Sequence, residues 1–126
     1  MERVLLVALG GALGSVMRYL TALLATRWLG GDLPWGTLAV NLLGSFLIGV
    51  VQELGTDALR ISPEARVFLA TGVMGGLTTY SAFSYETARL MEGQAWATAW
   101  TYLVVTTAAC VALCFLGLAV ARYVSR

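Results

Sequence analysis

The stretch GGLTTYSAFSYE, residues 75–86, gathers two threonines, two serines, two tyrosines and a carboxylate behind a pair of glycines. Glycine is a poor helix former and threonine is stiff at χ1, so Gly75–Gly76 followed by Thr78–Thr79 reads as a helix interruption. An interruption frees carbonyl oxygens before it and N–H groups after it, and in an apolar medium those groups need protein, water or an ion as partners. Several transporters build ion sites from spans broken in this way. The competing use of the glycines is packing, because Gly72 and Gly76 stand four apart and would form a close-contact face.

Two other polar sets accompany this stretch. Thr37, Asn41 and either Gly44 or Ser45 fall on one helix face by steps of four and three. An asparagine deep in an apolar segment either joins helices or presents its amide N–H groups to a passing anion. Thr98, Tyr102, Thr106 and Cys110 follow one another at steps of four, a polar track that drifts slowly around its helix. Threonine can also bond back to its own helix. Arg18 is the deepest cation, about 20 Å along the helix from Arg3 at 1.5 Å per residue. It either snorkels to the interface or attracts anions. Glu86 follows the interruption by about two turns, lining a vestibule or pairing with Arg89. Cys110 and Cys114, with no histidine in the chain, form neither a disulfide framework nor a zinc site, and read as small polarizable packing residues. No nucleophile–base–orienter set and no phosphate-binding or dinucleotide fingerprint is present, and GALGS near the start has no strand before it. The chain therefore reads as a passive route for a small polar solute and not as an enzyme.

The elements that must position these groups are membrane helices. Of 126 residues, 59% are hydrophobic and only 12% charged, against a usual apolar share of roughly 45–50% and a charged share of about 25%. Mean hydropathy is +0.80. The length allows one domain, and four apolar spans are expected at about 4–28, 35–51, 64–90 and 95–120, each near the ~20 residues a bilayer crossing needs. GGDLP at 30–34 is a turn. In the loop that follows span two, Ser62 caps the next helix with Pro63 at its first position, and Gly93 marks the last turn. The start resembles a secretory signal, but its apolar run is too long for one, so it is read as a retained first helix. All eight basic residues are arginine and net charge is about +1; without a basic patch, nucleic-acid binding is excluded. Arg3, Arg60, Arg66, Arg122 and Arg126 fall on one side, and Arg27 and Arg89 on the other. This modest bias is compatible with one fixed orientation or with both.

GALGSVMRY in span one, GTLAVNLLGSFLIG in span two and GVMGGLTTYSAFSYE in span three together resemble the Fluc (CrcB) family of bacterial fluoride channels over the whole chain. The third motif is the specific one, and the order and spacing of the three make the set strong. The resemblance implies an all-α protein of the bacterial inner membrane, with four spans, the third broken. It also implies a homodimer whose two subunits insert in opposite orientations. Two fluoride pores would run along the subunit interface. A central structural sodium ion would be held by backbone oxygens of Gly75 and Thr78 from each subunit. The family's pore aromatics fall on Tyr80 and Phe83, its pore asparagine on Asn41, and the neighbouring hydroxyl on Ser81. Its fourth-helix track falls on Tyr102, Thr106 and Cys110, its first-helix arginine on Arg18 and its acidic residue on Glu86. Two positions depart from the family's pattern: Tyr80 stands where phenylalanine is usual, and Cys110 where a hydroxyl is more common.

The donor chemistry suits fluoride. A small anion sheds its tightly held water only if other donors replace it, and Asn41, Ser81 and Thr106 offer uncharged ones. The ring edge of Phe83 carries partial positive charge. Neutral donors let an ion bind and still leave. A competing class is the small four-span proton-coupled drug exporter, which needs a titratable carboxylate deep in the bundle. Spans one, two and four offer none, and Glu86, beyond the interruption, is the sole candidate. Another competing class, a structural subunit, would tolerate apolar residues at Asn41 and Phe83.

Overall fold

The computed structural model describes residues 1–56 and 60–126. It is all-helical among those residues: α1 (Glu2–Leu29), α2 (Trp35–Leu54), a third crossing in pieces, and α6 (Trp96–Val124). The third crossing begins with α3 (Pro63–Arg66), continues as a π-helical segment (Val67–Met74) and α4 (Gly75–Leu77), and resumes after two extended residues as α5 (Tyr80–Glu92). Helices α1, α2 and α6 are each long and apolar enough to cross a membrane.

Local chemistry sets the ends. Gly30 stops α1 at φ 84°, a left-handed conformation natural to glycine. Ser62 accepts the N–H of Ala65 at 3.1 Å, with Pro63 in the first turn of α3. At the end of α5 the left-handed residue is Gln94 (φ 61°), while Gly93 keeps φ −74°. The turn expected at Gly93 is there, made by Gly93 and Gln94 together, with the positive φ at Gln94. Helix α2 winds on to Leu54, so that Glu53 reaches across to Arg122 of α6 with two bonds of 2.9 and 3.2 Å. The π-helical winding over eight residues has no marker in the sequence. It is longer than the single-turn bulges in which this winding usually occurs.

Backbone contact holds the bundle. In lipid no hydrophobic force drives helices together, so close approach of small residues replaces it. A Cβ at Gly14 of α1 would lie 2.1 Å from the Val73 oxygen, and one at Gly76 would lie 2.4 Å from the Gly11 oxygen. Gly10 and Gly72 meet in the same seam. A second seam joins α2 and α6, where Gly49 faces the Cys114 oxygen and Gly117 the Phe46 oxygen. Between the seams, Val40, Val73, Met74 and Leu77 form the buried core. Gly14→Ala must therefore push the first seam apart. It is expected to lower stability by roughly 1–3 kcal/mol or more, read as a fall in melting temperature in detergent. Gly75→Ala, whose Cβ meets nothing within 4 Å, should leave the fold of the single chain intact.

Candidate functional site

The site is built on the interruption of the third crossing. The last regular bond runs from the Thr78 N–H to the Met74 oxygen at 3.0 Å. The next would join the Thr79 N–H to the Gly75 oxygen. Instead that N–H donates to Asn41 Oδ1 at 2.8 Å, and Asn41 Nδ2 donates to the Thr79 oxygen at 3.1 Å. The asparagine side chain pairs with Thr79 as a neighbouring strand would. One turn later, the Ala82 N–H donates to Thr79 Oγ1 at 3.1 Å and so caps α5 in place of a bond to the Thr78 oxygen. The Thr79 and Ala82 N–H groups thus go to side-chain oxygens and not to the Gly75 and Thr78 carbonyls.

This geometry refines the sequence reading in two respects. The unwound residues are the threonines, Thr78 (ψ 155°) and Thr79 (ψ 113°), whereas Gly75 stays helical (φ −61°, ψ −38°). Gly76 serves the contact with α1, so packing and interruption coexist in one motif. Asn41, only 9% exposed, spends its oxygen and one amide hydrogen on Thr79, leaving a single N–H for any other partner.

Beside the interruption lies a groove of about 430 Å³. Asn41, Gly75, Thr78, Tyr80, Phe83, Thr106 and Cys110 all line it, so α2, the third crossing and α6 each contribute. No Asp, Glu, Lys or Arg lines it among the described residues. Phe83 is 6% exposed and stands between two tyrosines, its ring centroid 5.6 Å from Tyr80 and 5.2 Å from Tyr102 at tilts of 58° and 56°. Tyr80 is 80% exposed. Thr106 is 4% exposed, yet its hydroxyl has no hydrogen-bond partner among the described residues. A buried polar group left in that state costs about 1–3 kcal/mol, and the groove that Thr106 lines is where its hydroxyl could meet a partner.

The remaining residues sit around this groove. Ser81 is exposed, with Oγ 3.3 Å from Thr79 Oγ1. Tyr102 is buried behind Phe83 and, with Thr106, lines a second groove of about 360 Å³ between α6 and the start of α2. Its hydroxyl donates to Glu86 Oε2 at 2.9 Å, and Thr37 donates to Glu86 Oε1 at 2.7 Å. Arg89 pairs with Glu92 at 2.9 Å, not with Glu86, which settles the partner of that carboxylate differently from the arginine alternative. Glu86 and Arg89 share a mouth of about 290 Å³ with Asp32. Arg18 lies half-buried on α1, apart from the grooves, with no hydrogen bond or ion pair among the described residues. Two contributors were not singled out for the site from sequence: Thr79, hidden in the Thr-Thr pair, and Thr37, whose position one turn before Asn41 was its signal.

Known proteins extend these observations. The family profile described as CrcB-like protein, Camphor Resistance (CrcB), matches residues 5–118. A protein of Anaeromyxobacter dehalogenans named fluoride-specific ion channel FluC is 47% identical over 125 residues, 99% of each chain. Its namesake in Agrobacterium fabrum is 47% identical over 122 residues, covering 97% of this chain and 98% of the relative. The one in Thermus thermophilus is 57% identical over 93 residues, 74% of each. With apolar helices of crossing length, the chain is a multi-pass membrane protein. The profile spans nearly its full length, from α1 into α6, and includes every groove residue: the chain belongs to the CrcB family.

Proposed function

We propose that this protein is a fluoride-selective channel that lets cytoplasmic fluoride leave passively across the bacterial inner membrane. The observation that carries the reading is Thr106: a buried hydroxyl that, among the described residues, has no partner and lines a groove without charged side chains. Fluoride entering the groove would give up water and take the Thr106 hydroxyl, the remaining Asn41 N–H and the positive ring edge of Phe83 as replacements. The donors are neutral, so binding is shallow enough for release. Chloride is larger and gains less from the same contacts. Tyr80 and Cys110 complete the walls, Tyr102 backs Phe83 from the second groove, Ser81 stands beside Thr79, and Glu86 and Arg18 serve the approaches. The relatives named as fluoride-specific channels support the choice of ion.

The working unit is a homodimer of opposite orientations in the bilayer, with two pores at the subunit seam. The modest arginine bias, five on one side against two on the other, permits both orientations, and the open side of Gly75 leaves room for a second copy. The Gly75 and Thr78 carbonyls, passed over by the Thr79 and Ala82 N–H groups, suit a hard cation, and would hold a structural sodium ion between the subunits. Bound there, it would neutralise converging carbonyl dipoles. Sodium that binds only the assembled state adds stability by mass action, about 2.7 kcal/mol at a hundredfold excess over its dissociation constant. Replacing sodium with N-methylglucamine should therefore lower the melting temperature of the dimer in detergent.

The test of function is ion flux from liposomes loaded with fluoride or chloride. Fluoride should leave far faster than from empty vesicles, chloride should not, and Phe83→Ile should slow the fluoride phase. Efflux equal to that of protein-free vesicles would remove the proposal.

A further inference from the structure

Cys110 and Cys114 are half-buried free thiols on successive turns of α6. Cys110 lines the central groove, and Cys114, one turn on and just beyond that lining, has its main chain packed against Gly49 of α2. One turn before them stands Thr106, 4% exposed, lining the same groove, its hydroxyl without a partner among the described residues. Three consecutive turns thus offer O–H, S–H and S–H.

Side chains four apart on a helix have Cβ atoms about 5–6 Å apart. Two thiolates on one linear metal ion stand about twice a metal–sulfur bond of ~2.3 Å apart, which ordinary χ1 rotation can meet. The ligand set selects the metal. The chain has no histidine, and no carboxylate lines the groove among the described residues. Hard cations therefore find no side-chain anion here, whereas thiolates favour soft ions. A thiolate at Cys110 would also give the Thr106 hydroxyl the acceptor it lacks.

We propose that Cys110 and Cys114 form a two-thiol site for a soft d¹⁰ cation, such as Hg(II), Ag(I) or Cu(I), on the wall of the permeation groove, and that its occupancy blocks conduction. For mercury, two S–H bonds break, two Hg–S bonds form and two protons leave to water; no electron changes hands. The site itself stands on the geometry of α6, while the block rests on the channel reading above.

The experiment titrates the full-length protein in detergent with Hg(II), following the ultraviolet thiolate-to-mercury band and proton release. Fluoride efflux from proteoliposomes is measured in parallel. One Hg(II) per chain, two protons released and a block reversed by dithiothreitol are expected. In Cys110→Ser and in Cys114→Ser, one proton should be released, and the half-blocking concentration should rise at least about tenfold, each variant scaled to its own untreated rate. Unchanged proton release and block in Cys114→Ser would overturn the two-thiol site. Binding through both thiols with efflux undiminished would overturn its place on the path. Absence of fluoride efflux from untreated protein would instead remove the channel reading, and proton release would still decide the site.

Discussion

Thr106→Val should slow fluoride efflux by about 10- to 150-fold without weakening the fold. Valine has nearly the shape of threonine and lacks only the hydroxyl, which has no hydrogen-bond partner among the described residues. A hydrogen bond to a charged group is worth about 1.5–3 kcal/mol. Lost from the barrier to permeation, that corresponds to the stated range at 1.36 kcal/mol per decade. Stability moves the other way. Removing an unpartnered buried hydroxyl relieves about 1–3 kcal/mol of desolvation, so the melting temperature should hold or rise. Thr106→Ser restores the donor and should recover most of the flux. A valine variant that conducts like the parent would show that this hydroxyl does not meet the ion, and the principal support for the channel reading would fail.

Asn41→Leu is expected to damage fold and flux together. It leaves both the N–H and the carbonyl of Thr79 without partners in a buried position. Each such group costs about 1–3 kcal/mol, or about 2–6 kcal/mol for the pair. The melting temperature should fall sharply and efflux should drop to the level of empty vesicles. Asn41→Asp separates the two roles. When protonated, its carboxyl can accept from the Thr79 N–H and donate to the Thr79 oxygen, so the clamp survives. When ionised, it loses the donor and sets a negative charge against the anion's route. Protonation restores the clamp and removes the charge, so efflux through this variant should rise as pH falls. A flat profile would mean that Asn41 serves the groove in some way other than through this pair of bonds.

Much of the architecture is legible because lipid imposes simple rules. Long apolar runs separated by Gly30–Pro34 and by the Ser62–Pro63 cap announce crossing helices, and a cluster of hydroxyls at depth announces an irregularity. What the sequence conceals is which backbone groups the irregularity redirects. Periodicity arguments treat a helix as continuous, whereas two extended residues at Thr78–Thr79 rotate everything after them. The choice of threonine over glycine as the unwound pair depends on Asn41, 38 residues away, and on Gly11 and Ser15, whose backbone demands that Gly76 pack closely. The partners of Glu86 are similarly remote: Thr37 and Tyr102 come from different helices, while the adjacent Arg89 is occupied by Glu92. The π-helical segment leaves no trace in composition, and its close contacts with α1 come from residues about 60 positions away.

The pairing of Asn41 with Thr79 also bears on how the chain is made. Synthesis runs from the N-terminus at roughly 5–20 residues per second, so the amide emerges from the ribosome seconds before the segment it must hold open. The second crossing can already be in the bilayer, its amide waiting, when the third arrives. A gene rearranged so that α2 is translated last would deliver the hydroxyl-rich segment with no partner for its exposed main chain. Chain order thus delivers the amide before the segment that pairs with it.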